Sequence, residues 1–178
     1  MNQFTLVIIW ISIGALSRIL PHPADVTALT SLSLLAGLQF SYTRSLLIVG
    51  ISLLLSDLTL TYLWNYPAFG SWSLFTYSGY AVIALVGHKV CVDNKPRLFG
   101  MLISLSMFYW LWTNFGTWLL SGLYPHTALG FTTCYTAALP FLRNSLLGDI
   151  AWMVTLYCLL KYLLRASTHG IGRISSYG

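Results

Sequence analysis

The stretch SLLIVGISLLLSDLTLTYLW, residues 45–64, decides the class of fold, because Asp57 is the only charged residue in an otherwise apolar run. A helix needs about 20 mostly apolar residues to cross a bilayer. A second stretch, NSLLGDIAWMVTLYCLL at residues 144–160, has the same pattern and contains Asp149. An ionised side chain at the bilayer centre costs roughly 2.5–3.5 kcal/mol or more, so it normally faces a protein interior or a cavity. These two aspartates are therefore the first candidates for functional residues.

The composition of the whole chain agrees with these two stretches. Of its 178 residues, 57% are hydrophobic and only 7% are charged, and glutamate is absent. Soluble domains average about 25% charged residues. A soluble domain with so little charge would expose large apolar patches. The excess of basic residues gives a net charge of +5, but they are scattered singly between apolar runs, so they indicate membrane topology and not a nucleic-acid partner.

The sequence predicts an all-α integral membrane protein, a single bundle of six transmembrane helices over residues 1–165. Its spans are predicted near residues 4–20, 26–42, 45–63, 72–86, 98–120 and 145–164. A seventh apolar piece, residues 127–141, is too short to span and ends at Pro140. We interpret it as a re-entrant or interfacial helix before the last span. Residues 166–178 are polar and glycine-rich, which predicts a flexible cytoplasmic tail.

Basic residues set the predicted orientation, because cytoplasmic loops carry an excess of lysine and arginine. Two of them, Arg18 and Arg143, flank one side of the predicted bundle. Those that flank the other side are Arg44, Lys89, Lys95, Arg97, Lys161, Arg165 and Arg173. The bias places both termini in the cytoplasm, with the protein in the cell (inner) membrane.

In this orientation, strong polar groups from several segments fall near the outer side. Ligand sites combine aromatic walls with a few converging polar groups, so these segments predict a pocket for a small solute. The expected partner of either aspartate is Arg18 or Asn114. An aspartate would meet a cationic group on the solute, and Arg18 would meet an anionic one. Residues 21–27 would form a lid over the pocket. The predicted substrate-binding residues are Arg18, Asp57, Asn114, Asn144, Asp149, Tyr66, Trp112 and Tyr135.

Structural interpretations of the same residues stay open at this point. Asp57 and Asp149 are also compatible with an ion pair or a hydrogen bond that fixes the register of the helices, and Arg18 with snorkelling to the headgroups. The aromatic residues are equally typical of an interfacial belt. His22 and His126 lack a third ligand, so we expect no metal site. There is no P-loop, HExxH or GxSxG motif, so we expect neither an enzyme nor a cofactor.

Several short runs resemble a family of uncharacterised bacterial multi-pass membrane proteins over nearly the whole chain. They are RILPHP at residues 18–23, TNFGxW at 113–118, YPHT at 124–127, CYxxxxPF at 134–141, Asn144 and Gly148-Asp149. That family is similar in fold to the substrate-binding S components of energy-coupling-factor (ECF) vitamin transporters.

The resemblance implies six helices, cytoplasmic termini, and a vitamin or similar micronutrient captured in an outward pocket under the loop between helices one and two. It also implies a separate transmembrane coupling protein and ATPases as partners, besides membrane lipid and the solute itself. Two alternatives come from other classes. One is a structural or assembly partner of another membrane protein, and the other is a membrane enzyme acting on a lipid.

Overall fold

The computed structural model describes residues 3–90 and 94–174, the last eleven of these by their backbone alone. Throughout these residues the regular structure is helical, without strands, which confirms the predicted all-α class. The helices are α1 (Gln3–Ile19), α2 (Leu29–Gln39), α3 (Tyr42–Trp64), α4 (Ser73–Lys89), α5 (Lys95–Leu120), α6 (Ala128–Ala137) and α7 (Leu139–Ile174).

Three of these helices are long and apolar enough to cross a membrane. They are α3, α5 and the Leu139–Leu163 part of α7. Helices α1 and α2 are also apolar, but with 17 and 11 residues they are shorter than a bilayer normally requires. By length and composition, the described part of the chain therefore has the character of a helical membrane protein.

Helix α2 is shorter than the span predicted at residues 26–42. Every residue from Leu29 to Gly37 is buried. A helix that is hydrophobic and buried all round lies inside a bundle, where the surrounding helices cover it. Helix α2 accordingly contacts α1, α3, α4, α5 and α7. It is the centre of the fold.

Helix α7 begins earlier than the last span predicted at residues 145–164. Pro140 lies in its first turn, where a missing backbone N–H costs no hydrogen bond, so the proline starts this helix and does not simply end the preceding one. The short helix before it, α6, has ten residues, as expected for a non-spanning segment. Helix α7 also includes residues 166–174, where the sequence predicts a flexible tail; their mobility stays a prediction.

Short connections make successive helices run in opposite directions, so the bundle has two ends. The starts of α1, α3 and α5 and the ends of α2 and α4 form what we call the closed end. There Arg44 donates a hydrogen bond to the side chain of Gln3, and the rings of Tyr42 and His88 lie 6.4 Å apart. The opposite end, where α1, α3 and α5 finish and α2, α4 and α7 begin, is called the cavity end.

The outward faces of the long helices are apolar. On α3, the exposed side chains Leu47, Ile51, Leu54 and Leu58 recur every three or four residues and form a stripe along the helix. An exposed apolar stripe of this length is unusual on a soluble monomer and is typical of a face covered by lipid or by another protein.

Candidate functional site

A cavity of about 350 Å³ lies within the cavity end. Ligand pockets usually measure about 300–1,000 Å³, so its size suits a small molecule. The charged residues of its lining are Arg18, Asp25, Asp57 and Asp149. Its aromatic lining consists of Tyr66, Trp72, Tyr77, Tyr80, Tyr109, Trp110 and Phe141. Five of the eight predicted site residues line this one cavity, namely Arg18, Asp57, Tyr66, Asn114 and Asp149.

One wall of the cavity is an ion pair between two helices. Arg18, in the last turn of α1, places its Nη1 atom 2.6 Å from Oδ1 of Asp57 on α3. The same nitrogen donates to the hydroxyl of Ser56 at 2.6 Å and to the carbonyl oxygen of Leu53 at 3.4 Å. The expected partnership of Arg18 with an aspartate is confirmed for Asp57. Arg18 does not extend to the headgroups, because its guanidinium is used inside the bundle.

The second oxygen of Asp57 is also occupied. The hydroxyl of Tyr77 on α4 donates to Oδ2 at 2.7 Å, so α1, α3 and α4 meet at this carboxylate. The Asp57 side chain is 11% exposed, and that of Arg18 is 19% exposed. Breaking a pair of this kind leaves an uncompensated charge and is strongly destabilising. The pair therefore holds three helices in register.

Asp149 lies in a different environment, at the junction of α2, α5 and α7. The side chain of this residue is almost fully buried, and the hydroxyl of Ser106 donates to its Oδ2 at 2.6 Å. The hydroxyl of Thr30 is a second partner. Among the described side chains none forms a salt bridge with it. The expectation that Arg18 or Asn114 would pair with Asp149 is wrong, because hydroxyl groups from α2 and α5 reach it instead.

The backbone of Asp149 is fixed as well. The hydroxyl of Ser31, fully buried on α2, donates to the Asp149 carbonyl oxygen at 2.6 Å. Both the main chain and the side chain of Asp149 are therefore positioned by the central helix. A carboxyl group with so many positioning contacts has a fixed place in the cavity lining, and none of the described side chains forms a salt bridge with it.

The remaining predicted residues divide into two groups. Asn114 lines the cavity, but its amide nitrogen donates to the Trp110 carbonyl oxygen of its own helix at 2.8 Å. Tyr66 lines the mouth and is largely exposed. Tyr66 reaches the cavity from the loop after α3, and Asn114 from the last two turns of α5.

Asn144, Trp112 and Tyr135 lie outside the cavity lining. The Trp112 indole N–H donates to the Ser78 hydroxyl at 2.9 Å, and the Tyr135 hydroxyl donates to the Leu111 carbonyl oxygen at 2.8 Å. Asn144 is half-buried on α7. The sequence gives the depth of these residues along their helices, but not the face of the helix on which each lies.

Sequence reasoning missed the tyrosines that line the middle of the cavity. Tyr77 and Tyr80 are three residues apart on α4, so they share a face. The ring of Tyr80 stacks on that of Tyr109 from α5, with centroids 4.2 Å apart. The signal was present, since hydroxyl-bearing rings in the middle of an apolar helix need polar partners.

The loop between α1 and α2 closes one side of the mouth. The Ser17 hydroxyl accepts a hydrogen bond from the Ala28 N–H at 3.1 Å and donates to the Gly14 carbonyl oxygen at 2.9 Å, which ties the loop to α1. Val26 packs against Gly148 on α7, where a Cβ would lie 3.0 Å from a Val26 methyl group. The predicted lid segment therefore rests on the residue next to Asp149.

Asp25, in the same loop, has a left-handed backbone with φ of 62°. Such a conformation is uncommon outside glycine, though aspartate and asparagine tolerate it. Loss of water around the carboxyl group raises the pKa of Asp25, and the nearby His22 lowers it in part. The mouth thus carries a carboxyl group that keeps its proton to a higher pH than an ordinary aspartate.

The two loop histidines make local contacts with the backbone. His22 Nδ1 lies 2.6 Å from the Leu20 carbonyl oxygen, and His126 Nε2 lies 3.1 Å from that of Leu119. Over residues 3–90 and 94–163, no group of three or more His, Cys, Asp or Glu side chains is arranged to hold a metal ion.

The helical fold, the apolar surface and the polar cavity together define a class of protein. It is the class of helical membrane-type proteins with an internal pocket at one end. Within that class, the chain belongs to a family of unknown function, DUF6580, whose model matches residues 1–169. No curated protein and no solved structure matches the chain.

Proposed function

We propose that this protein is the substrate-binding membrane component of an uptake system for a small micronutrient, such as a vitamin. It would capture the solute in the cavity and would not act as an enzyme. One observation carries the proposal, namely a cavity of about 350 Å³ lined by charged and aromatic side chains in a bundle that is otherwise closely packed. Binding sites for small molecules typically combine these features.

The membrane placement belongs to the same proposal. We take α1, α2, α3, α4, α5 and α7 as six spans, with α6 as a re-entrant or interfacial helix. The short α2 fits this arrangement because the surrounding helices bury it and the nine-residue connection before it adds length. The lysine and arginine bias supports cytoplasmic termini. The cavity end would then face outward, toward the solute.

A purely structural role explains the cavity less well. An unfilled space in a protein core forgoes packing contacts and lowers stability. Lining that space with aspartates adds a further cost in a membrane. A scaffold would gain by filling the cavity with apolar side chains, whereas a solute-binding protein needs the space. These costs support binding as the reason for the cavity.

The coupling to an energy source follows from the resemblance to S components. The chain would deliver its solute through a transmembrane coupling protein driven by ATPases. The test is affinity purification of the tagged chain from its own membranes under mild detergent. Recovery of a coupling protein and ATPases in stoichiometric amounts is expected. Consistent recovery of the chain alone, under conditions that preserve other transporter complexes, would contradict this part of the proposal.

The binding role has a sharper test that uses matched tryptophan variants on α5. Thr113 lines the cavity, so Thr113→Trp fills it, whereas Ser104 is exposed on the outside of the same helix, so Ser104→Trp leaves it open. Native mass spectrometry of the purified proteins should find a retained small molecule in the wild type and in Ser104→Trp, but not in Thr113→Trp. Equal retention by all three variants would place the molecule elsewhere and contradict the proposal.

A further inference from the structure

The charges of the cavity are unequal. Its lining contains one positive side chain, Arg18, and three carboxyl groups, those of Asp25, Asp57 and Asp149. A pocket of low dielectric focuses the field of the charges that line it and selects ligands of the opposite sign. The balance of the lining therefore favours a solute that brings positive charge.

The positive charge of Arg18 is already balanced by a carboxylate of the chain. Its Nη1 atom is shared between Oδ1 of Asp57, the Ser56 hydroxyl and the Leu53 carbonyl oxygen. An anion at Arg18 would have to compete for the guanidinium charge with a carboxylate that Tyr77 also holds in place. The expectation that Arg18 meets an anionic group on the solute stays a prediction, and the pairing with Asp57 makes an anion the less favoured ligand.

Asp149 differs from Asp57 in what surrounds it. Hydroxyl groups of Ser106 and Thr30 hydrogen-bond to its carboxyl group, and none of the described side chains supplies a cation. Removing one carboxylate from water without a counter-charge is costly, and a cation that enters from outside the chain would offset that cost.

The aromatic walls add to the same preference. Six tyrosine and tryptophan rings line the cavity, and the faces of these rings attract cations, most strongly where water is excluded. Aromatic rings and a single buried carboxylate can bind a cation without any hydrogen-bond donor from the protein. The stacked pair of Tyr80 and Tyr109 gives such a wall a fixed position.

We propose that the cavity binds a small organic cation, either a protonated amine or a quaternary or heteroaromatic nitrogen, with Asp149 as its counter-charge. Aromatic rings would cover the rest of the solute, and the Arg18–Asp57 pair would form a fixed wall. This inference rests on the proposed function and specifies the chemical class of its solute.

Three probes of similar size and different charge test the inference. Tryptamine is a cation, tryptophol is neutral and indole-3-acetate is an anion, and all three carry the same ring on a short side chain. Equilibrium dialysis against the wild-type protein in nanodiscs should show tryptamine binding at least about tenfold more tightly than the other two. Equal binding of the three probes, or tighter binding of indole-3-acetate, would overturn the inference.

Two variants connect the preference to Asp149. Asp149→Asn keeps the size of the side chain and an oxygen that accepts the hydrogen bond from Ser106, but removes the charge. Asp149→Glu keeps the charge. The preference for tryptamine should be lost in the first variant and retained, in the same direction, in the second. A preference that survives Asp149→Asn would assign the selectivity to other groups and overturn the role of Asp149.

The charge of the solute retained by the purified wild-type protein separates this inference from the proposed function. Identification of that solute as a cation supports both. A retained neutral or anionic solute overturns the cation inference while the binding function stands. A protein that retains no solute and binds none of the three probes contradicts both.

Discussion

The closed end and the cavity end of the bundle use the same helices in opposite ways. At the closed end, α2 and α4 touch through their backbones. A Cβ on Gly37 would collide with the carbonyl oxygen of Ala84, and one on Gly87 would lie 2.6 Å from that of Leu34. At the cavity end the helices that surround α2 leave a space of about 350 Å³ between them. The two ends differ in their side chains. Small residues let the helix backbones touch at the closed end, whereas tyrosines, hydroxyl groups and charged groups line an open space at the cavity end.

The buried side chains follow the same division. Toward the closed end, α5 and α7 bury aliphatic residues such as Leu98, Leu102 and Leu156. Toward the cavity end, the same two helices present Ser106 and Asp149. We therefore assign stability mainly to the closed end and binding mainly to the cavity end. Each prediction below tests this assignment.

The largest effect is expected at the closed end. Gly37→Val places a branched side chain against the backbone of α4, which cannot move aside without separating the two helices. Overpacking of this kind costs about 3 kcal/mol in unfolding free energy, or prevents folding altogether. Denaturant unfolding in micelles measures the loss. The control is Gly50→Ala, because a Cβ on Gly50 meets nothing within 4 Å, so stability should hold or rise slightly. A stable Gly37→Val protein would contradict the close packing of α2 on α4.

The next largest loss of stability is expected when the ion pair between Arg18 and Asp57 is broken. Asp57→Leu leaves Arg18 inside the bundle without its counter-charge, and we expect a loss of about 3 kcal/mol in unfolding free energy. The double variant Arg18→Met, Asp57→Leu should recover much of this loss, because it removes both charges together. A double-mutant cycle measures the coupling. Additive losses would show that the two side chains do not stabilise each other.

A smaller change in stability is expected for Asp149→Asn. The asparagine keeps an acceptor for Ser106 and removes a charge that has no partner among the described side chains, so the unfolding free energy should change by less than about 1 kcal/mol. Retention of the solute should nevertheless be lost. Thermal unfolding and native mass spectrometry on the same preparation separate the two effects. A large loss of stability would assign Asp149 to the structural part of the molecule.

The smallest effect is expected outside the cavity. Tyr135→Phe removes one hydrogen bond, to the carbonyl oxygen of Leu111, at an exposed position. The expected loss is about 0.5–1 kcal/mol in unfolding free energy, with solute binding unchanged. Weakened solute binding in this variant would extend the site beyond the cavity lining.

The sequence predicts the class of fold and the end of the bundle that contains the cavity, because both depend on where charges interrupt apolar runs. Arg18, Asp57 and Asp149 stand out for that reason alone. The sequence could not predict which side of α5 faces the cavity, since α5 is apolar on all faces. Trp110 and Trp112 look alike in the sequence, yet only Trp110 lines the cavity.

Partner choice was predictable for one aspartate and not for the other. Arg18 lies at a helix end that the predicted topology brings near Asp57, and the number of basic residues at that level is small. The partners of Asp149 are Ser106 and Thr30, and serines and threonines occur throughout the chain, so depth in the membrane does not single them out. Hydroxyl partners depend on the rotation of each helix about its axis.

The most direct test of the account is an experimental structure of the protein purified in nanodiscs without removal of endogenous small molecules. We expect non-protein density in the cavity, next to Asp149 and the rings of Tyr80 and Tyr109, with the Arg18–Asp57 pair intact beside it. A cavity that has collapsed, or that side chains of the protein itself fill, would contradict the claim that this end of the bundle is built to bind a solute.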